Sequence, residues 1–477
     1  NNGSRLIFSS EIKAIMAIVK KEETLLDEES LYHYLTLSVA PSPSTMFKNI
    51  KKLKPGHTLV TSLSKDIKIK KYWEPKNHIT NAKNLEENMI IDKLRSLIDE
   101  SIKLRMISDV PFGAFLSGGI DSSLNVALMD KNMDNNVDTF SVSIKNDIIS
   151  DERSEAKKVS NYFNTNHKEI EISTRDFIDT LPKIVKYQDE PLADPVCIPL
   201  YYVSKLARES GTFVIQVGEG ADEIFAGYNL YGFYNDFNKY YKTFSNFPSL
   251  LKKSITGISK YLLPDKKHKY IEYANENKEL FWGGSISFYE NEKRNLLKKS
   301  YNFDTYDKYI KQIYKDYDDD NHNYDFIDRI TYLELRHRLP ELLLMRVDKM
   351  GMANSIETRV PYLDHKLVEF ALSIPSNLKY RNGMNKYILK EAARGIIPDY
   401  IIDKQKKGFC GSASNMVNNE IVEYAEDLFS KSDFFNNNFN FHFINDLLNH
   451  HKDNRVDNGV KIWTLLNLVQ WHKEWIE

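Results

Sequence analysis

The sequence predicts an α/β protein in which a doubly wound parallel sheet is followed by a mainly helical extension. Between residues 85 and 230, short apolar runs alternate with amphipathic helical patterns, as in repeated β-α units. A glycine- and serine-rich segment at 117–123 joins one apolar run to a helical pattern, and residues 231–477 carry mainly helical patterns. Such units form a parallel sheet whose ligands bind beyond the carboxyl ends of its strands.

Residues 1–75 predict short strands and one helix, and the polar residues 76–84 predict a linker. We expect a strand at 6–8 and a helix at 11–20. Alternating apolar and polar residues predict a hairpin whose strands are 57–60 and 67–70.

Residues 85–230 predict the strands and helices of the sheet domain. The first helix, 88–106, places Ile91, Leu94, Ile98 and Ile102 on one face. The predicted strands are 110–116, 137–144, 167–172 and 212–217. The remaining predicted helices are 122–130, 152–164, 174–187 and 198–209.

Composition excludes several classes of protein. The 477 residues hold 65 Lys+Arg and 67 Asp+Glu, and a net charge of −2 gives no general attraction to nucleic acid or anionic membranes. Cys197 and Cys410 are too few for a disulfide scaffold or a four-cysteine zinc site, and they fit a reducing compartment. No apolar run approaches the roughly 20 residues that span a bilayer. We therefore expect a cytoplasmic protein without nucleic-acid or membrane partners.

The main chemical signal is the loop Ser117–Ser123, Ser-Gly-Gly-Ile-Asp-Ser-Ser. Gly118 and Gly119 let the backbone approach an anion, and the following helix N-terminus supplies N–H donors. Asp121 would repel phosphate unless it holds a Mg²⁺ that the phosphates share. A serine-capped turn without a ligand is the alternative, but the whole pattern favours a pyrophosphate loop that is not a Walker A loop. Its hydroxyl donors are Ser117, Ser122 and Ser123.

A second loop, 217–228, also follows a predicted strand and contains Glu219 between two glycines and then Asp222. Parallel β-α units place both loops at the same edge of the sheet, so Glu219 and Asp222 are expected to face one ligand. An acidic first turn that complements the helix dipole is the alternative.

Two further segments are rich in charge. In 346–365 we expect ion pairs, with Arg359–Asp364 and Arg346–Asp348 as candidates, and structural and substrate-lining roles stay open. Lys386 starts an amphipathic helix and by pattern alone is a surface lysine.

Together these segments resemble the glutamine-dependent asparagine synthetases of the class B type, over nearly the whole chain. The loops 117–123 and 218–228 are similar to the two ATP motifs of that family, and 352–365 and 386–392 are similar to its synthetase signatures. The resemblance implies an N-type ATP pyrophosphatase fold for 85–477, with an ATP-binding core at 85–230 and a helical extension at 231–477. Residues 1–75 are then a β-rich remnant of an Ntn-hydrolase glutaminase domain.

The resemblance also implies a reaction, in which aspartate, ATP and ammonia give asparagine, AMP and pyrophosphate through a β-aspartyl-adenylate. Asp121 and Asp222 would hold Mg²⁺ on the pyrophosphate. Glu219 matches a glutamate tied to intermediate formation and able to take a proton from ammonia, and Lys386 matches a lysine that stabilises charge on phosphorus. The implied nucleotide contacts are Leu116, Ser117, Gly118, Gly119, Asp121, Ser122, Ser123, Val142, Val217 and Gly218.

The sequence departs from the family pattern at two places. Val217 stands where the family carries Ser or Thr, which removes a hydroxyl contact. The family glutaminase uses an N-terminal cysteine, whereas this sequence begins with Asn1, so we expect no glutaminase activity from this chain alone. We then expect nitrogen to come from free ammonia or from a separate glutaminase segment. A second copy of the chain, which would form a homodimer, is another candidate partner.

Other functions remain open beside this one. Related synthetase domains act on sugar acids or peptides, and a catalytically inactive partner subunit is a further alternative. The retention of Asp121, Glu219, Asp222 and Lys386 argues against an inactive chain. Balanced charge and the absence of paired cysteines argue against a tRNA-modifying pyrophosphatase-loop enzyme.

Overall fold

The structure is a computed structural model and describes residues 6–19, 25–62, 66–79, 82, 85–145, 153–262, 265–318, 325–404 and 416–477. The strands are β1 His57–Thr61, β2 Ile67–Lys71, β3 Phe112–Phe115, β4 Asp138–Ile144, β5 Asn166–Ile172, β6 Val214–Gln216, β7 Glu357–Arg359, β8 Tyr380–Arg381 and β9 Met384–Asn385. The α-helices up to the end of β6 are Ile12–Met16, Glu28–Leu37, Glu87–Met106, Ile120–Lys131, Arg153–Tyr162, Thr174–Gln188 and Cys197–Glu209.

Helices dominate the chain after β6. Those before β7 are Ala221–Ile224, Asn229–Ser245, Ser249–Leu262, Asp265–Asn275, Glu290–Leu296, Lys311–Asp318, Phe326–Arg336 and Leu344–Met352. Those after β7 are His365–Ser373, Ser376–Lys379, Tyr387–Ala393, Asp399–Ile402, Asn419–Lys431, Asp433–Asn438, Phe441–Lys452 and Gly459–Trp475. Pro75–His78 and Pro361–Leu363 are 3₁₀ helices, and Tyr306–Ile310 and Leu339–Leu343 are π-helices.

The centre of the protein is a parallel five-stranded sheet with the order β5-β4-β3-β6-β7. The chain moves from β3 to β4 and β5 on one side, then crosses back to place β6 and β7 on the other. The order therefore reverses between β3 and β6, the position at which sheets of this type bind ligands. The predicted doubly wound parallel sheet is confirmed.

Helices cover both faces of the sheet, because neighbouring residues of a strand point to opposite sides. Ala114 and Leu116 pack on one face with the helices Glu87–Met106, Ile120–Lys131 and Tyr387–Ala393. On the other face, Phe115 and Val217 share a hydrophobic cluster with residues of other helices. These helices are Thr174–Gln188, Cys197–Glu209, Leu344–Met352 and Gly459–Trp475.

The N-terminal part differs from the prediction in three ways. Residues 6–8 are not a strand, because no described strand lies beside them, and Phe8 is 87% exposed. The helix expected at 11–20 is Ile12–Met16, and residue 20 lies outside the described residues. The helix Glu28–Leu37 was not predicted, although Asp27 caps it by accepting a hydrogen bond from the Ser30 N–H at 2.7 Å.

The predicted hairpin is present as the antiparallel pair β1–β2.

The unpredicted helix Glu28–Leu37 joins the N-terminal segment to the rest of the molecule. Its residues Tyr34 and Leu35 are fully buried in the same hydrophobic cluster as Trp471 near the C-terminus. The Tyr34 hydroxyl donates to the Thr464 carbonyl at 2.8 Å.

The region after residue 230 is mainly helical, as predicted, and it also completes the sheet. β7 pairs in parallel with β6, with Val214 opposite Glu357 and Gln216 opposite Arg359. Its sequence, Glu-Thr-Arg, is short and polar, which explains why no strand was predicted there. Among the described residues, no helix is long and apolar enough to cross a membrane.

Candidate active site

The two loops predicted to carry the chemistry lie side by side at the carboxyl ends of β3 and β6. They line a cavity of about 980 Å³ at the point where the strand order reverses. Of the predicted site residues, those that line it are Ser117, Gly118, Gly119, Asp121, Ser122, Val217, Gly218, Glu219, Asp222 and Lys386.

The loop after β3 needs glycine because its backbone is left-handed and crowded. Gly118 has φ +74°, and a Cβ there would lie 2.7 Å from the Ala156 nitrogen. Ser117 and Ser122 close the loop, with their hydroxyl oxygens 3.1 Å apart. The helix Ile120–Lys131 follows directly, so its first N–H groups point towards the cavity side of the loop.

The loop after β6 approaches the first loop closely. A Cβ on Gly218 would lie 3.1 Å from Asp121 Cβ, and Gly220 has φ +95°. A Cβ on Gly227 would collide with the Asp222 carboxylate and the Lys386 side chain. Small residues at 218 and 227 therefore let the second loop bring Asp222 next to Asp121 and Lys386.

Lys386 is buried between these two aspartates. Its Nζ lies 2.6 Å from Asp121 Oδ2 and 2.6 Å from Asp222 Oδ1, and its side chain is 4% exposed. Burial acts to lower the pKa of Lys386, but the charges of Asp121 and Asp222 outweigh burial and hold the pKa above its ordinary value. The pattern-based expectation of a surface lysine is wrong, because the left-handed backbone of Lys386 (φ 53°) turns it inward before the helix Tyr387–Ala393 starts.

Asp121 and Asp222 fit a site for Mg²⁺ that is shared with phosphate. Magnesium in such sites takes one or two carboxylates from the protein and its remaining ligands from phosphates and water. The two carboxylates converge on one point, occupied by the Lys386 ammonium, and both belong to the cavity wall. Within the described residues no group of three or more His, Cys, Asp or Glu side chains is arranged to hold a metal.

Glu219 lies in a second cluster of charge, which Arg346 and Asp194 complete. Arg346 Nη2 donates to Glu219 Oε1 at 2.9 Å, and Arg346 Nη1 donates to Asp194. Burial acts to lower the pKa of Arg346, but the two carboxylates hold it above its ordinary value. This cluster fixes the Glu219 carboxylate facing the cavity.

The ion pairs predicted within 346–365 are wrong, because Arg346, Arg359 and Asp364 pair with other residues. Arg346 pairs with Asp194 and Glu219 instead of Asp348, because its helix faces the loop after Asp189. Arg359 pairs with Glu357 at 2.7 Å, two residues away on β7. Asp364 instead accepts from Arg105 at 3.2 Å.

Three of the predicted nucleotide contacts are buried and do not line the cavity: Leu116, Ser123 and Val142. Leu116 is held in the sheet by its N–H, which donates to the Phe140 carbonyl at 2.9 Å, and its carbonyl accepts from the Ser141 hydroxyl. The roles of these three in nucleotide binding stay predictions, as do the domain boundaries.

Several cavity residues were not predicted to belong to the site. Ser38, Asp194 and Arg338 lie outside every segment that the sequence singled out. Arg346 lies in 346–365, where a substrate-lining role was left open, and Lys390 lies in the signature 386–392, but neither was named as a site residue. Behind Arg338, the buried Glu223 accepts from the Tyr228 hydroxyl at 2.6 Å. Burial and the neighbouring Asp222 raise the pKa of Glu223 to about 7.

A doubly wound parallel sheet with a glycine- and serine-rich loop at the reversal of strand order defines an α/β protein whose ligand site lies at that loop. A family model described as asparagine synthase matches residues 93–473, and the chain belongs to that family. A model of the glutamine amidotransferase domain matches residues 1–73. The chain therefore belongs among the ATP-dependent amidating ligases of the asparagine synthase type.

Curated relatives extend over nearly the whole chain. Asparagine synthetase (glutamine-hydrolyzing) 1 of Bacillus subtilis is 33% identical over 99% of this chain and 72% of its own length. A putative asparagine synthetase of Mycobacterium tuberculosis is 27% identical over 98% of this chain and 71% of its own length. Amidase chyE of Penicillium rubens is 23% identical over 85% of this chain and 64% of its own length.

Proposed function

We propose that the protein forms asparagine from aspartate, ATP and ammonia, releasing AMP and pyrophosphate through a β-aspartyl-adenylate. The observation that carries this proposal is the position of Lys386 between Asp121 and Asp222, beside the loop Ser117–Ser122. One cavity thus combines a cation, two carboxylates and an anion-binding loop, the groups that an adenylating site needs.

In this proposal, the first loop binds the pyrophosphate part of ATP. The N–H groups at the start of the helix Ile120–Lys131 and the Ser117 and Ser122 hydroxyls donate to phosphate oxygens. Asp121 and Asp222 would hold Mg²⁺, which when bound would neutralise phosphate charge.

Activation of aspartate needs attack of its side-chain carboxylate on the α-phosphorus, with pyrophosphate as the leaving group. A free carboxylate is a poor electrophile, whereas a mixed anhydride with AMP is a good one. Charge grows on the phosphate oxygens during this step, and Lys386 is the buried cation beside the loop that stabilises it.

Ammonia then attacks the acyl carbon, a C–N bond forms, the C–O bond to AMP breaks, and the attacking nitrogen loses a proton. Glu219 is the carboxylate of the cavity that we assign to accept this proton. Its ion pair with Arg346 fixes its orientation towards the cavity.

Aspartate is the acceptor that the asparagine synthetase relatives support. A second candidate is another carboxylate, a sugar acid or a peptide, because an amidase also resembles the chain over 85% of its length. Incubation with each acceptor class, ATP, Mg²⁺ and ammonium separates the two candidates by which product forms.

The nucleophile that we propose for the second step is ammonia, and we assign glutamine hydrolysis to no residue of this sequence. The segment 1–73 that matches the amidotransferase domain contains no cysteine. Cys197 is a poor nucleophile, because burial and the neighbouring Asp194 raise its pKa to about 12. We also propose a cytoplasmic location, which suits a free thiol.

The test is to supply aspartate, ATP and Mg²⁺ with ammonium or with glutamine and to identify the products. We expect asparagine, AMP and pyrophosphate with ammonium, and no product with glutamine alone. Formation of ADP would contradict the adenylate route. Product with glutamine alone would contradict the assignment of the nitrogen source.

A further inference from the structure

The cations of the cavity wall differ in how their charge is compensated. Four of them have a carboxylate within 4.0 Å: Arg338 (Glu334, 2.8 Å), Arg346 (Glu219, 2.9 Å), Lys386 (Asp121 and Asp222, 2.6 Å each) and Lys404 (Glu155, 3.5 Å). The fifth, Lys390, forms no ion pair with any residue that the structure describes. Asp403, the acidic group nearest to it in sequence among the lining residues, is paired with Arg394 at 2.8 Å.

Lys390 stands one helical turn beyond Lys386. Its N–H donates to the Lys386 carbonyl at 2.9 Å, and both side chains line the cavity. The helix Tyr387–Ala393 packs on the helix Ile120–Lys131, whose N-terminus is the anion-binding end of the first loop. Lys386, Lys390 and the first loop therefore line one cavity.

The charges near the first loop require a further cation when a polyphosphate binds. Asp121 and Asp222 carry two negative charges against the single charge of Lys386. A pyrophosphate group adds several more negative charges, and one divalent cation does not balance them all. Burial lowers the pKa of Lys390, and the charges of Lys386 and Arg394 add to that effect. The charge of Asp403 opposes it but does not outweigh it.

We propose that Lys390 binds the β- and γ-phosphates of ATP and the pyrophosphate product, as a second cation beside Lys386. This inference rests on the proposed function, because it assigns a ligand group within the same cavity. Lys386 is already paired with two carboxylates. Lys390 is therefore the cation that stays bound to pyrophosphate while this product leaves. Lys390 thus sets the affinity for pyrophosphate and ATP and makes no contact with AMP.

The test compares Lys390→Gln, Lys390→Glu and Lys390→Arg with the unmodified chain. Magnesium pyrophosphate, ATP and AMP are the titrants in calorimetry, and unfolding midpoints check that each variant folds. Loss of a charge-assisted contact predicts that Lys390→Gln weakens pyrophosphate and ATP binding by roughly 10- to 100-fold. Lys390→Glu should bind both ligands more weakly than Lys390→Gln does. Lys390→Arg keeps the charge and should stay within roughly threefold of the unmodified chain. AMP binding should be unchanged in all three.

The matched control is Lys183→Gln, which removes the same charge from an exposed lysine outside the cavity wall and should change none of the affinities. Equal pyrophosphate affinities for the Arg, Gln and Glu variants would overturn the proposal. A parallel loss of AMP binding would also overturn it, since that result indicates a structural role. If the unmodified chain binds neither ATP nor pyrophosphate, the proposed function itself fails, and this assignment fails with it.

Discussion

At the scale of single residues, the site depends on a buried ammonium group that has no apolar substitute. Lys386 is surrounded by Asp121 and Asp222, and its charge keeps those two carboxylates close together. Removal of one partner from a buried ionic cluster leaves the other charges uncompensated. Lys386 therefore has two roles in the proposed enzyme, holding the site together before substrate binds and stabilising phosphate charge during the reaction.

Lys386→Met and Glu219→Gln are expected to lower the rate of asparagine formation at least about 100-fold each, because each removes a group that acts on charge or protons in the transition state. Rates are measured by AMP and asparagine release under saturating substrates. Glu219→Gln keeps the size of the side chain, so its unfolding midpoint should stay near that of the unmodified chain.

Lys366→Gln is the control for these two variants, because Lys366 is an exposed residue paired with Glu100 outside the cavity wall. Near-normal turnover of Glu219→Gln or Lys386→Met would remove the role assigned to that residue.

At the scale of elements, the two loops could be predicted from their glycines, because glycine is the residue that a left-handed or closely approached backbone needs. Gly118 and Gly220 have positive φ, and Gly218 and Gly227 allow close approach of other groups. The helices and strands of residues 85–230 were predicted to within a few residues, since long periodic patterns bury one face. The helix Glu28–Leu37 was missed because it is buried nearly all round and so has no amphipathic pattern.

Gly118→Ala is expected to disrupt the first loop. The new Cβ would lie 2.7 Å from the Ala156 nitrogen and 2.7 Å from the Glu155 carbonyl carbon, so backbone must move. We expect a loss of unfolding free energy of about 2 to 3 kcal/mol, measured by urea denaturation, and loss of ATP binding.

Gly211→Ala is the matched control, because Gly211 also has positive φ (+85°) but nothing within 4 Å of the added Cβ. It should cost about 1 kcal/mol and leave ATP binding intact. If both substitutions had the same effect, crowding at Gly118 would not be the reason for its glycine.

At the scale of the whole molecule, ion pairs and a hydrogen bond tie the described residues 6–19 and 25–52 to segments next to the cavity. Lys52 lies 2.9 Å from Glu341 and 3.5 Å from Glu190, and Lys349 lies 2.8 Å from Asp189. Asp189 also accepts from the Ile12 N–H at 2.9 Å. Because Asp189 and Glu190 precede the cavity residues Ala193 and Asp194, the N-terminal segment supports the loop that orients Arg346.

Lys52→Met is expected to lower the free energy of unfolding by about 3 kcal/mol, because it leaves Glu190 and Glu341 buried without a cation. Lys366→Met removes an exposed partner of Glu100 and should cost less than about 1 kcal/mol. Both are measured by chemical denaturation. Equal costs for the two substitutions would show that Lys52 does not anchor its segment to Glu190 and Glu341.

Periodicity and glycine spacing, which are local properties of the chain, determined the sheet class, the two loops and the candidates Asp121, Glu219 and Asp222. Lys386 became a candidate only through the family resemblance, since its local pattern predicts a surface lysine. The tertiary structure alone decided which charges meet. Arg346 pairs with Asp194 and Glu219 across more than 120 residues, β7 joins the sheet from far downstream, and Lys390 faces the cavity without a described ion pair. Ion pairs between distant segments depend on how helices and strands pack against one another, which a local sequence pattern does not show. The chemistry of the cavity therefore follows from the fold as a whole.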